Sequence, residues 1–329
     1  MTATTPRTIL ARSFWIEAPH RGVLRDQALA LPMAGEVLVQ TRYSGVSRGT
    51  EALVFQGRVP PSQYQAMRAP FQDGDFPVPV KYGYASVGLV EQGPDPLLGR
   101  NVFCLFPHQD RYVVPADAVI ALPDGLPPER AVLAANTETA LNVVWDARIG
   151  PGDRVCVIGA GVIGSLVAWL AGRIPGAEVT LVDRQASRAD LAGKLGVGFA
   201  TPEEVPGEQD VVIHTSTSAA GLSSALECAG MEARVVEASW FGDAQPAVPL
   251  GEAFHARRLQ LISSQVGQLP AARRARWSYR RRLAKALDLL ADPAVDCLIS
   301  GESRFEELPE LMPRLASGSG EVLCHRIAY

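Results

Sequence analysis

Read from one end to the other, the spacing of apolar and polar positions changes rhythm near residue 120. Before that point, short runs rich in β-branched and aromatic residues (8–16, 36–43, 85–91, 101–106 and 110–114) are separated by clusters of Pro and Gly. Runs of this length bounded by turn residues predict the strands of an antiparallel, barrel-like domain. Pro60-Pro61, Pro70 and the stretch Phe76-Pro77-Val78-Pro79 fall between them. They predict a long connection, because proline removes a ladder donor.

Pro128 opens a helical pattern that runs to Trp145, and Pro151-Gly152-Asp153 closes it. Strand and helix signals then alternate over 154–158, 161–173, 178–182, 187–195, 210–215, 219–229 and 233–238. Alternation of this kind predicts βαβ units and a parallel sheet. The fold class expected is therefore α/β, a Rossmann doubly wound parallel sheet plus a β-rich domain. The β-rich domain is expected over 1–120, the dinucleotide-binding domain over 121–265, and a return to the first domain over 266–329. A basic helical segment near 271–290 carries Arg273, Arg274, Arg276, Arg280, Arg281, Arg282 and Lys285 on what reads as a solvated face, with a site for an acidic substrate as the alternative.

At 329 residues there is room for about two domains. With 47% hydrophobic and 20% charged residues and a net charge of -4, composition argues against disorder and against a nucleic-acid partner. The longest apolar run, 155–171, is broken by Gly159, Gly161, Gly164 and Ser165, so no membrane partner is expected. Residues 1–11 lack the apolar core of a secretory leader, which makes a cytoplasmic location the expectation. The five cysteines and five histidines are scattered and show no C-x-x-C or H-E-x-x-H spacing.

The run Arg154-Val155-Cys156-Val157-Ile158 leads directly into Gly159-Ala160-Gly161-Val162-Ile163-Gly164 and a helix. The first glycine permits a tight turn, the second lets backbone approach a diphosphate, and the third lets helix pack on strand. Phosphates then lie at a helix N-terminus, where free N–H groups favour negative charge. The next predicted strand ends in Asp183, twenty-four residues beyond Gly159, where a carboxylate can accept hydrogen bonds from the adenosine ribose. An acid there repels a 2′-phosphate, so NAD is expected over NADP, while Arg184 and Arg188 nearby keep NADP open. Thr215, Ser216, Ser239 and Trp240 close later strands and are expected to line the nicotinamide side. His214 reads as a satisfied crevice residue.

The order of motifs resembles the medium-chain dehydrogenase/reductase superfamily over essentially the whole chain. Gly45-Val46-Ser47-Arg48-Gly49-Thr50-Glu51 is similar to its G-x-C-G-T-D region, Lys81-Tyr82-Gly83-Tyr84-Ala85-Ser86-Val87-Gly88 to its G-H-E-x-x-G region, and Thr139-Ala140 to its cofactor-side T-A pair. The resemblance implies a GroES-like fold for the β-rich domain, a small-molecule substrate, Thr139 on the cofactor, and a homodimer. Ser47, Tyr84 and Ala85 stand where zinc-dependent members carry ligands, and no cysteine lies between Val132 and Trp145, so no metal and no zinc are expected. A narrower resemblance, to the group of bacteriochlorophyllide a dehydrogenase, rests on 44–51, 82–84 with Gly88, 106–110, 136–142 and 263–267.

Without a metal, hydrogen-bond donors must polarise the reacting carbonyl. The candidates are Tyr84 and His108, then Ser47 and Thr50. Tyr84 reads equally well as a packed aromatic and His108 as a turn cap. Arg48 and Lys81 are candidates for stabilising an enolate, and Glu51 for holding Arg48 or a backbone amide. The function expected is a zinc-independent NAD(H)-linked oxidoreductase acting on a secondary alcohol or ketone. The alternatives are an NADPH-dependent enone or quinone reductase and a low-turnover NAD(H)-binding sensor or structural protein.

Overall fold

Strand β1 (Thr8–Ala18) alternates buried and outward positions and turns at His20 into β2 (Arg21–Ala30), its antiparallel partner, so the run read as 8–16 is one arm of a hairpin. The second arm, Arg21-Gly22-Val23-Leu24-Arg25-Asp26-Gln27-Ala28-Leu29-Ala30, is too polar to stand out by periodicity. The computed structural model describes residues 8–318 and 321–329. Residues 1–7, on which most of the leader reading rests, lie outside them. Among the described residues no helix is long and apolar enough to cross a membrane.

The chain divides into two compact units, Met1–Ala135 with Ile299–Tyr329, and Asn136–Leu298. The divisions fall at 135/136 and 298/299 rather than at the expected 120/121 and 265/266. Residues 266–298 therefore pack with the second unit.

In the first unit β3 (Glu36–Val46) is followed by helix α1 (Arg48–Phe55), the short β4 (Asp73–Gly74) and β5 (Val80–Lys81), then β6 (Ser86–Gln92), β7 (Asn101–Cys104), β8 (Arg111–Pro115) and β9 (Val119–Ala121). One sheet runs β2-β1-β5-β4, and in the other β3 pairs antiparallel with both β6 and β8. Val37, Val39, Val90, Val102, Tyr112 and Val114 form the apolar core between these strands. Helix α2 (Pro128–Ala131) and helix α3 (Ala134–Ala147) replace the single helix expected over 128–145.

The second unit is built on β10 (Arg154–Ile158), helix α4 (Val162–Ala171), β11 (Glu178–Val182), helix α5 (Arg188–Leu195), β12 (Gly198–Ala200), β13 (Gln209–His214), helix α6 (Ala219–Cys228), β14 (Ala229–Glu237) and β15 (Gln260–Ser263). All six strands are parallel, in the order β12-β11-β10-β13-β14-β15. A parallel sheet covered on both faces buries every side chain, which is why β10 reads as an unbroken apolar run after Arg154. Winding goes outward from β10 through β11 to β12 and then returns to β13 on the other side. Ile158 thus stands opposite both Val182 and His214. This reversal opens the crevice where ligands bind in such sheets. Strands β16 (Ile299–Arg304) and β17 (Cys324–Ala328) then return to the first unit, where β17 pairs antiparallel with β3.

The basic segment is two helices, Ala271–Arg274 and Tyr279–Leu289. Arg273 lies over the Trp145 ring and Arg281 over Trp277. Arg282 departs from the solvated-face expectation: it is buried, with Nε 3.0 Å from Glu138, Nη1 2.5 Å from Asn142 Oδ1 and Nη2 2.6 Å from the Val266 carbonyl. Burial raises the Glu138 carboxyl above its ordinary range, and Arg282 opposes that shift. Removing one partner of a buried pair leaves an uncompensated charge, so Arg282→Leu is expected to destabilise the chain by about 3–5 kcal/mol in chemical denaturation.

Candidate active site

In the first unit, Ser47 precedes α1 and the carboxylate of Glu51, one turn on, reaches back to accept the Ser47 N–H at 2.7 Å. The second Glu51 oxygen lies 2.8 Å from His108 Nε2, and His108 Nδ1 lies 2.7 Å from Ser44 Oγ. Ser44 Oγ in turn is 2.9 Å from the Tyr329 hydroxyl. Ser44, Glu51 and His108 are all buried. A carboxylate only accepts, so His108 carries a proton at Nε2; with the ring neutral, Ser44 donates to Nδ1 and Tyr329 to Ser44. The neutral ring gives every group in this line a partner. Burial raises the Tyr329 phenol well above its ordinary value.

Tyr84 stands beside this line and is half-buried. Burial, followed by the negative charge of Glu51, raises its phenol to about 12, while hydrogen bonds with the Ser47 and Thr50 side chains pull the other way. The phenol therefore keeps its proton at any ordinary pH and serves as a donor. The side chains of Ser47, Thr50 and Tyr84 are brought together.

Two expectations are corrected. His108, placed with Tyr84 as a proton donor, has both ring nitrogens engaged and its ring edge-on to Phe14, because the Pro107-His108 turn folds back against Gly83. It holds Glu51 in place. Lys81 is buried, with Nζ 2.9 Å from Gln109 Oε1, 2.7 Å from Asp73 Oδ2 and over the Phe106 ring, so it is not directed at an enolate. Glu51 holds a backbone amide, one of its two expected roles. Ser44 and Tyr329 were not singled out: Ser44 sits in a matched motif with nothing to mark it, and Tyr329 reaches it only because β17 pairs with β3.

A tetrahedral zinc needs three or four converging N, S or carboxylate ligands. Among the described residues no group of three or more His, Cys, Asp or Glu side chains is so arranged. Near Tyr84 the ligand-type atoms of Glu51 and His108 already face one another, Ser44 and the Ser47 amide. The residues present do not fit the ion.

In the second unit the loop Gly159-Ala160-Gly161-Val162-Ile163-Gly164 joins β10 to α4 as expected. Gly159 has φ +108, and a Cβ there would lie 2.8 Å from Thr215 Oγ1. A Cβ on Gly164 would lie 1.9 Å from the Gly159 carbonyl oxygen, so only glycine lets the helix rest on the turn. At Gly161 a Cβ would meet nothing within 4 Å, and the residue is exposed. This is the open face a diphosphate can approach.

Asp183 follows β11, and its two oxygens accept the Ala160 N–H at 2.8 Å and the Gln185 N–H at 3.0 Å. The carboxylate is thereby held beside the loop, with lone pairs to spare. Arg184 is exposed and Thr139 half-buried on α3. Thr215 turns its hydroxyl inward to the carbonyls of Ile158 and Gly159, at 3.1 and 2.9 Å, and so braces the loop from beneath. Ser239 Oγ accepts the Thr217 N–H at 3.2 Å. His214 is buried with both ring nitrogens partnered, 2.6 Å from Glu237 and 2.7 Å from Ser216, in keeping with its reading as a satisfied residue.

No family model matches the chain. The D-guloside 3-dehydrogenase of Escherichia coli (strain K12) is 26% identical over 325 residues, covering 89% of this chain and 92% of that protein. Among solved structures, the L-idonate 5-dehydrogenase of Escherichia coli aligns with TM-score 0.81 and 16% identity, over 98% of this chain and 99% of that one. A dehydrogenase of Sinorhizobium meliloti 1021, solved bound to NADP, aligns with TM-score 0.79 and 19% identity, over 98% and 100% of the two chains. The α/β fold with its Rossmann-like parallel sheet is the one these solved dehydrogenase structures share.

If Asp183 takes the adenosine ribose, Asp183→Ala removes charge-assisted hydrogen bonds. Titration calorimetry should then show about a tenfold or greater loss of NAD affinity and a narrowed preference over NADP. An unchanged ratio of the two affinities would reject that role.

Proposed function

We propose that this chain is an NAD(P)-dependent dehydrogenase of the medium-chain type that interconverts a secondary alcohol and a ketone by hydride transfer, with NAD(H) preferred and no metal at the reacting oxygen. The observation that carries the reading is Tyr84, a protonated phenol braced by Ser47 and Thr50 at the position where zinc-dependent members carry a histidine ligand. The relatives named above are dehydrogenases, and the shared fold supports a nicotinamide cofactor.

The nicotinamide, when bound, supplies or takes up the hydride. The chain's own work is to bind the substrate oxygen and manage one proton. In reduction, Tyr84 donates a hydrogen bond to the carbonyl oxygen, and as the carbon accepts hydride the phenolic proton passes to the new alkoxide. Ser47 and Thr50 steady the tyrosinate oxygen until it is reprotonated. Glu51, held by His108 and the Ser47 amide, keeps α1 and Ser47 in position and raises the phenol, making it a donor rather than a base.

The same donor polarises the carbonyl of an enone, so an alkene reductase is the second reading. Purified chain with reduced cofactor and parallel ketone and enone panels separates them: ketones should be consumed, and consumption by enones alone would defeat the first reading. The narrower likeness to bacteriochlorophyllide a dehydrogenase rests on motifs only and falls if its alcohol is not oxidised in the same assay. A homodimer in the cytoplasm is part of the proposal, and light scattering on the purified chain checks the dimer.

Tyr84→Phe should lower kcat about a hundredfold while leaving NADH affinity within about twofold. In an ultraviolet pH titration, the tyrosinate signal lost in that variant should be one that emerges at about 12, above the ~10 of ordinary tyrosines. Elemental analysis of untreated protein should find zinc well below one per chain, and chelation should leave the rate unchanged. Stoichiometric zinc would overturn the metal-free mechanism.

A further inference from the structure

His214 ends β13 and Glu237 ends β14, and the parallel register of the two strands sets them opposite each other. The imidazole is wholly buried, with Nδ1 2.6 Å from Glu237 Oε2 and Nε2 2.7 Å from Ser216 Oγ. The other Glu237 oxygen accepts the Ser239 N–H at 2.7 Å. Phe241 stacks on the ring, with centroids 6.2 Å apart. This is a Ser–His–Glu line in which His214 joins Ser216 to Glu237 and the Ser239 N–H holds the far carboxylate oxygen.

Its hydrogen-bond polarity follows from donor and acceptor inventory. The carboxylate can only accept, so the ring proton sits at Nδ1. With the ring neutral, the lone pair at Nε2 takes the Ser216 proton. Ser216 has one proton, and with that proton directed at His214 its oxygen is left as an acceptor. Such an oxygen is matched to a hydroxyl donor and mismatched to the diphosphate, whose oxygens also only accept.

Two glycines fix where this acceptor stands. A Cβ on Gly221 of α6 would lie 2.5 Å from Ser216 Oγ and 2.9 Å from His214 Nε2, so the helix closes on the line from one side. A Cβ on Gly159 would lie 3.0 Å from Ser216 Cα and Cβ, so Ser216 abuts the first glycine of the phosphate loop. Strand β10 has β11 on one side, ending at Asp183, and β13 on the other, ending at Ser216. A dinucleotide whose diphosphate rests on the loop and whose adenosine ribose lies at Asp183 carries its second ribose toward β13.

We propose that Ser216, aimed by His214 and Glu237, accepts a hydrogen bond from a hydroxyl of the nicotinamide-side ribose. His214 and Glu237 act as positioning residues that set the polarity of this contact. The proposal rests on the dinucleotide reading above and adds the group that recognises the second sugar.

ADP-ribose and ADP test it, because ADP carries the adenosine and both phosphates but lacks the second ribose. By calorimetry on the full chain, Ser216→Ala should weaken ADP-ribose binding about three- to tenfold, the span of one net hydrogen bond, and leave ADP binding unchanged. His214→Leu removes the group that fixes the serine proton and should give the same selective loss. His214→Gln, whose amide oxygen can accept that proton, should restore part of it. Where the leucine variant does not fold, Ser216→Ala carries the test alone, with ADP uptake reporting an intact cradle. An equal loss for both nucleotides, or no loss for either, overturns the proposal. A wild-type chain that takes up neither nucleotide fails the dinucleotide reading and this proposal with it, a result distinct from uptake with an unselective loss.

Discussion

Beneath the phosphate loop three segments approach so closely that only hydrogen atoms fit between them, and the rest of the second unit is arranged around that contact. The start of α4, the end of β10 and the residues after β13 meet at Gly164, Gly159 and Thr215. The Thr215 hydroxyl faces the Ile158 and Gly159 carbonyls, so the loop's acceptors are turned inward. Apart from the Gly159 and Ala160 N–H groups, which donate to Val182 and Asp183, the donors at the start of α4 are left for an anion. The cradle exists before any ligand arrives, which lowers the ordering cost of binding.

Both units solve the problem of a carboxylate held away from water in the same way. Glu51 with His108 and Ser44, and Glu237 with His214 and Ser216, each give a carboxylate an imidazole N–H and a backbone amide, and each pass the ring's lone pair to a serine hydroxyl. The outcome differs with what lies at the end. Ser44 leads to Tyr329, whose ring stacks on Phe305, so the first line is closed within the unit and stiffens the floor under Tyr84. Ser216 leads to the phosphate loop, so the second line presents an oxygen at the cofactor cradle.

Local signals reached far in one direction and stopped in the other. The strand-loop-helix of 154–171 and the placement of Asp183 are readable because each depends on residues close in the chain. The cluster of Ser47, Thr50 and Tyr84 was readable through two motifs, although its support was not. His108 looked like a free donor because nothing near residue 108 in sequence shows that Glu51 and Ser44 lie on its two nitrogens, 57 and 64 positions away. Glu237 and Tyr329 are invisible for the same reason: each acts through strand register, β14 on β13 and β17 on β3. Arg282 looked solvated among its neighbours because its carboxylate partner is 144 positions distant. Strand β2 was missed because it is half polar, and the helix expected over 128–145 is broken between Ala131 and Ala134.

The crowding at Gly159, Gly164 and Gly221 has a counterpart in how this molecule is free to diverge. A methyl group at any of the three meets an oxygen or nitrogen closer than 3.0 Å, so those positions resist change unless their neighbours change in the same step. On the opposite flank, Arg184 is exposed, Arg188 half-buried, and most residues from 184 to 190 face outward. With the adenosine at Asp183, as proposed, drift in cofactor preference would have an accessible path along that flank, whereas the flank beneath Ser216 changes only by concerted replacement.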